Sequence, residues 1–185
     1  MTDAASRVRI VLAALPGLLY RITTPAGSGL APRVTGANGR IRAALLPTGA
    51  DGPDEVLIVL NRDVRWDIRL PRGAGEQQLD LRRGRVTRVE VGASGLVEMS
   101  LPAPAGTVPV TLGGPVGSVV LGADPGVPLR LTLGAGAGAV RTPWGASLAA
   151  APGAVVQAPG WVESVRRYAV SARSPVGRVL VRGPF

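Results

Sequence analysis

Between Val56 and about Arg141 the chain alternates apolar and polar positions in short runs. The runs are Val56-x-Ile58-x-Leu60, Val64-x-Trp66-x-Ile68-x-Leu70, Leu79-x-Leu81, Val89-x-Val91 and Val97-x-Met99-x-Leu101. They continue as Val108-x-Val110-x-Leu112, Val119 to Leu121, and Val127-x-Leu129-x-Leu131-x-Leu133. A period of two puts every second side chain on one face of a strand, so each run predicts a strand with one face buried. Gly and Pro fall between the runs, at Pro71, Gly73, Gly84, Gly92, Gly95, Pro102, Gly113, Gly114, Gly122 and Pro125, where turns are expected.

The runs are also evenly spaced. Ile68-Arg69-Leu70-Pro71, Val89-Glu90-Val91-Gly92, Val110-Thr111-Leu112-Gly113 and Leu131-Thr132-Leu133-Gly134 follow one another at offsets of 21 residues, as do Pro104 and Pro125. A fixed period near this length is the mark of stacked units, each too small to bury its apolar face alone. The predicted fold class is therefore all-β, a solenoid-like stack of short strands. A β-sandwich or barrel is the alternative, because strands at this spacing suit it as well. Pro109 and Pro128 each remove a ladder donor; in the stacked reading regular pairing begins after them, at Val110 and Leu129.

The flanks read differently. Residues 1–50 form a lead-in segment, with Thr23 to Thr35 expected as a loop, Asn38-Gly39 as a tight turn, Arg40–Leu46 as a strand and Asp51–Asp54 as a second turn. Residues 51–142 form the repeat domain. Residues 143–185 are expected to hold an irregular stretch, with a short helical turn near Ser147–Ala151, and then a strand pair at Tyr168–Ala172 and Gly177–Val181. The run Val8 to Tyr20, broken by Arg9 and Pro16, is too short to span a bilayer as a helix. Arg7 and Arg9 ahead of Ile10–Leu19 mimic a secretory signal, but Asp3 and the lack of a small-x-small cleavage site speak against one. No convincing signal peptide or transmembrane helix is read, and cell envelope and cytoplasm both remain open. The segment 8–20 and the tail 161–185 are the expected covers for the two open edges of the stack.

Composition sharpens the picture. Of 185 residues 46% are apolar, mostly Val, Leu and Ala, which predicts a core of thin aliphatic layers. There is no Cys and no His, so disulfides, thiol nucleophiles, the Ser-His-Asp triad and the commonest metal ligand are excluded. All 21 cations are Arg, which also removes Ser-Lys and Schiff-base chemistry and the lysine of the phosphate loop. Asp63, Asp67, Asp80, Glu90 and Glu98 take outward positions, and no spacing singles out a catalytic pair. Arg69 and Glu90, stacked at the repeat offset, suit a cross-strand ion pair. Gly134-Ala-Gly136-Ala-Gly138 has dinucleotide-loop spacing only in part, since Ala139 stands where the next Gly is required. Trp66 is expected in the core, and Trp144 and Trp161 as seals at the open end of the stack. No catalytic, metal or cofactor-binding residue is assigned, and no small-molecule substrate is expected.

The net charge of +9 fits both an anionic partner and the codon usage of a GC-rich genome. Its one cluster, Arg82, Arg83 and Arg85 with Arg88, is a candidate anion site at a corner. The stretch from Val56 to Arg141, with short strands, Gly/Pro corners and runs such as Gly117-Ser-Val-Val-Leu-Gly122, resembles the β-helical, adhesin-like (toast-rack-type) domains of unknown function in bacterial envelope proteins. The resemblance implies a surface location and a structural or interaction role. The expected function is a non-enzymatic structural or protein-interaction module, envelope-associated or self-assembling, whose partner is a protein or a second copy. The alternative is a binder of an anionic polymer, nucleic acid or cell-wall polymer, through the Arg cluster.

Overall fold

A computed structural model of the chain describes residues 5–124 and 126–183. Among these residues there is no helix, and 17 strands account for the ordered backbone. In chain order they are β1 (Arg7–Ala13), β2 (Tyr20–Thr23), β3 (Leu30–Ala37), β4 (Arg40–Pro47), β5 (Glu55–Asn61) and β6 (Arg65–Leu70). Then come β7 (Ala74–Asp80), β8 (Arg85–Val91), β9 (Ser94–Ser100), β10 (Thr107–Leu112), β11 (Val116–Gly122) and β12 (Leu129–Leu133). The last are β13 (Ala137–Thr142), β14 (Gly145–Ala150), β15 (Ala154–Gln157), β16 (Arg167–Ala172) and β17 (Val176–Arg182).

From β5 to β13 the chain passes alternately between two sheets. One is nine-stranded, in the order β14-β13-β17-β11-β9-β7-β1-β5-β2; the other is six-stranded, in the order β15-β12-β16-β10-β8-β6. Neither closes into a barrel. From β6 to β11 successive turns lie on one another with parallel pairing, as a stacked, solenoid-like fold requires: Ile68 pairs with Val89 and Val89 with Val110, each at the offset of 21. Pairing of β8 with β10 starts at Val110 and β12 starts at Leu129, as expected, but β10 pairs with β16 from Thr107 onward, so Pro109 lies inside that ladder. Pro104 lies in the connection before β10, while Pro125 is outside the described residues.

The inner faces are built as columns. Ile68, Val89, Val110, Val170 and Leu131 form one; Ile10, Leu79, Met99, Leu121 and Val181 form another. All ten are buried. Each such side chain contributes roughly 1.5–3 kcal/mol by leaving water. The column Val8, Gln77, Val97, Val119, Val179, Val140 has a polar member. Gln77 is fully buried; its Nε2 donates to Ser94 Oγ at 2.5 Å, and its Oε1 has no partner. Tyr168, also fully buried, donates its hydroxyl to the Pro102 carbonyl at 2.7 Å, and burial pushes its phenol pKa up.

A line of glycines crosses the nine-stranded sheet at Gly75, Gly95, Gly117, Gly177 and Gly138. At each the burial alternation breaks: Val116 and Val119 are both buried, with Gly117 and Ser118 turned outward between them. A Cβ at Gly117 would lie 2.6 Å from the Gly95 carbonyl oxygen, and one at Gly138 would lie 2.7 Å from that of Gly177. At these positions a side chain would meet the backbone of the adjacent strand, and glycine avoids the clash.

The flanks depart from expectation in several places. Residues 30–35, the latter part of the expected loop, belong to β3, which pairs antiparallel with β4 across Asn38-Gly39, whose φ angles of 51° and 70° make the tight turn. The stretch read as irregular with a helical turn is instead the antiparallel strands β14 and β15. The expected covers are also misplaced. β1 lies inside the nine-stranded sheet, parallel to β5 and β7. β16 and β17 form a complete turn inserted between β10/β11 and β12/β13. Three of the four edges of these two sheets are taken by strands whose polarity was not legible: β2, β14 and β15 pair antiparallel with the outermost turns, and β6 forms the fourth edge.

Candidate interaction surface

The outer faces carry the charged residues, and the strand register decides who meets whom. On the nine-stranded sheet Arg7 of β1 faces Glu55 on one side and Glu76 on the other, at 3.0 and 2.8 Å. This clamps the inserted β1 to both neighbours. The Arg7 guanidinium, with the Gln78 amide, holds the Glu76 carboxyl below its usual pKa. Arg182 of β17 reaches across β11 to Glu98 of β9 at 3.0 Å.

The four arginines of the candidate anion site separate into two settings. Arg82 and Arg83 sit at the corner between β7 and β8. Arg82 is committed to Asp80 through two contacts of 2.9 and 2.7 Å, which lower the Asp80 pKa. Arg85 and Arg88 project from β8 on the outer face of the six-stranded sheet, and register adds two residues that spacing alone missed. Arg85 stands beside Arg65 of β6, and Arg88 stands beside Asp67. No ion pair to Arg65 or Arg85 is found among the described residues.

Asp67 bonds Arg69 on its own strand at 2.9 and 2.8 Å. That bond lowers its pKa, with further help from Arg88 and from Arg40 at the tip of the β3–β4 hairpin. The hairpin thus brings a cation from a distant part of the chain to this face. Around its tip Thr35 to Asn38, Arg40 and Arg42 line an open hollow of about 450 Å³. Arg69 and Glu90 are in register as expected, but the Arg69 side chain pairs along its strand with Asp67 rather than across to Glu90.

On the same outer face, toward the other end, the segment 158–166 runs from β15 back to β16. Trp161 is buried there, with the guanidinium carbons of Arg130 and Arg167 at 3.9 and 4.1 Å from its ring centroid. Arg167 also bonds the carbonyls of Trp161 and Val162 and the Thr107 hydroxyl. Trp161 is therefore a latch over the sheet rather than a seal on the end of the stack. Trp66 packs partly buried against the core and donates to the Asn61 carbonyl at 2.8 Å. Trp144 also packs against the core, and its indole N–H is buried without a partner.

The carboxylates of Asp67, Glu76 and Asp80 are thus partly to fully exposed and paired with arginine. Each is held below its ordinary pKa, the opposite of what a general acid needs. Among the described residues no three acidic or metal-ligating side chains converge on a point, and no helix is long and apolar enough to cross a membrane. Exposed apolar side chains occur in two groups: Leu18, Leu19, Leu46 and Leu57 on or near β2, β4 and β5, and the more exposed Leu148 (85%), Val155, Val162 and Val165 on β14, β15 and the segment that follows. No charged residue occurs from Thr142 to Val162.

No family model matches this chain, and no curated protein matches it in sequence. Among solved structures it is similar to a "putative cell adhesion protein" from Clostridium sporogenes ATCC 15579. The TM-score is 0.73 at 16% identity, over 97% of this chain and 89% of the other. At that identity the likeness is one of fold: the same stacked all-β architecture runs through nearly the whole of both chains.

Proposed function

We propose that this chain is a non-enzymatic interaction module of the cell envelope, a stiff scaffold that presents contact surfaces to a protein partner or to further copies of itself. The observation that carries the reading is the uncharged, apolar end formed by β14 and β15, where Leu148 is 85% exposed on a chain whose other surfaces are rich in arginine. An open sheet edge without charge is a template for another strand, and most proteins guard against it. The description of the Clostridium sporogenes neighbour as a cell adhesion protein is in keeping with this role. The test is sedimentation and partner capture with the wild type and with Leu148→Glu/Val155→Glu, at low and high salt. Salt-resistant association that the double variant abolishes supports the reading. A monomer with no partner, or association indifferent to the substitutions, refutes it.

A second reading rests on Arg65 and Arg85. Like charges on directly adjacent strands repel, and an anionic polymer laid along Arg65, Arg85 and Arg88 would relieve that repulsion. Binding of a polyanion that weakens steeply with salt and is lost in Arg65→Gln/Arg85→Gln would establish it. Salt-insensitive binding would refute it.

A further inference from the structure

The turn formed by β16 and β17 interrupts a repeat that is complete without it. Ile68, Val89 and Val110, spaced by 21, pair directly with one another. Leu131 is the next residue at that spacing, yet it pairs with Val170, and Val170 in turn pairs with Val110. The flanking turns match position by position at the same offset: Thr111 with Thr132, Leu112 with Leu133, Gly113 with Gly134, Gly117 with Gly138 and Val119 with Val140. Column, glycine line and corner would all continue if β12/β13 lay directly on β10/β11. β16 and β17 therefore occupy a slot between two turns written to a common template, and the slot has a closed alternative.

The inserted pair is carried by one segment, residues 158–166, which leaves β15 at the end of the stack and returns past β12. It contains Pro159 and Gly160, the latter at φ 73°. Val162 and Val165 within it are exposed, and its chief tie is Trp161 against Arg130 and Arg167.

We propose that this turn is exchangeable: the slot between β10/β11 and β12/β13 accepts β16–β17 of a second copy, and copies join by lending the pair to one another. This rests on the self-association reading above and names its partner. The parallel ladders on both sides of β16 and β17, the Tyr168 bond to Pro102 and the Arg182 bond to Glu98 form as well between chains as within one. Exchange of an identical element leaves these contacts intact, so concentration and the strain of the connecting segment set the balance between monomer and joined copies.

The absence of cysteine from the chain makes the test direct. Thr111 on β10 and Ser171 on β16 are register neighbours, at the strand spacing of about 4.8 Å, within disulfide reach. Full-length Thr111→Cys and Ser171→Cys chains are mixed, refolded together at high concentration and oxidised. A parallel mixture of Ser118→Cys with Ser171→Cys reports random collision, because Ser118 lies on the other sheet. The single chain carrying both Thr111→Cys and Ser171→Cys must close its internal disulfide, which verifies the geometry. Exchange predicts a disulfide-linked heterodimer at least about tenfold above the control mixture. Equal yields in the two mixtures, with the internal disulfide formed, overturn it. If the chains associate while the yields stay equal, exchange fails and the self-association reading stands.

Discussion

Gly117 and Gly177 lie back to back on adjacent strands of the nine-stranded sheet, and a Cβ on Gly177 would run into the carbonyl oxygen of Gly117. They are far apart in sequence, so the contact exists only because β17 is threaded beside β11. The obstacle is backbone, which cannot rotate away as a side chain does. Gly177→Ala is therefore expected to destabilise the fold by about 1–3 kcal/mol, read from the urea midpoint. Gly106→Ala, which meets nothing within 4 Å, should stay within about 0.5 kcal/mol of wild type. Equal effects would mean that the strands do not approach so closely.

Gln77 gives a prediction of opposite sign. Its carbonyl oxygen is buried without a donor inside a column otherwise made of valines. Gln77→Met keeps the length and removes the orphaned atom, while Ser94 Oγ keeps its bond to the Ala93 carbonyl. A gain of about 0.5–1.5 kcal/mol is expected in denaturant unfolding. A loss of that size would show that the amide is satisfied in solution.

The arginine-paired carboxylates predict how stability depends on pH. In the folded chain Glu76, Asp67 and Asp80 titrate below their ordinary values, chiefly through hydrogen bonds to Arg7, Arg69 and Arg82. The folded state binds the proton less readily than the unfolded chain, so these pairs stabilise above the unfolded pKa of about 4. Their contribution is lost as pH falls through the lower folded values. The urea midpoint should hold from neutral pH to about 5 and drop below about 4. In Arg7→Gln the neutral-pH midpoint should be lower and the acid drop shallower, because Glu76 no longer has its guanidinium. A variant with an unchanged acid limb would show that the Arg7 clamp contributes nothing.

Trp161 tests the latch. Trp161→Ala removes a buried indole and the ring over which Arg130 and Arg167 sit, and should cost about 3 kcal/mol. Arg130→Gln should cost only about 0.5–1 kcal/mol, the worth of a partly exposed cation–π contact. Protease sensitivity within residues 158–166 should rise in Trp161→Ala before the core opens. A cut elsewhere appearing first would place the weak point outside this segment.

Much of the scaffold is legible in the amino-acid sequence. The alternation from Val56 to Leu133 gave the central strands, and the offset of 21 gave the direct neighbours Ile68, Val89 and Val110. A glycine signal was present and missed: Gly75, Gly95, Gly117 and Gly138 recur at 20, 22 and 21 residues, the period of the line they form. The candidate anion site was legible only in part. Spacing found Arg82, Arg83, Arg85 and Arg88, but adjacency in the chain could not show that Arg82 belongs to Asp80, nor that Arg65 and Arg40 come to the same face.

By itself the sequence determined the local physics: which residues alternate, which break the chain, and which reactive groups are missing altogether. Those follow from side-chain chemistry and from the two-residue period of an extended backbone. Only the tertiary structure decided the order of turns. A strand pairs with whichever neighbour completes its ladder, and backbone hydrogen bonds carry no record of distance along the chain. Hence β1 and β16–β17, which look like peripheral covers when read in order, became interior members of the stack, while β2, β14 and β15 took three of its four edges. The inner faces of most of these strands are aliphatics of similar size, with Tyr168 of β16 and Tyr20 of β2 as exceptions, so packing ranks the possible orders of turns only weakly. The Arg7 clamp and the Trp161 latch, each joining distant segments, are contacts specific to the order observed.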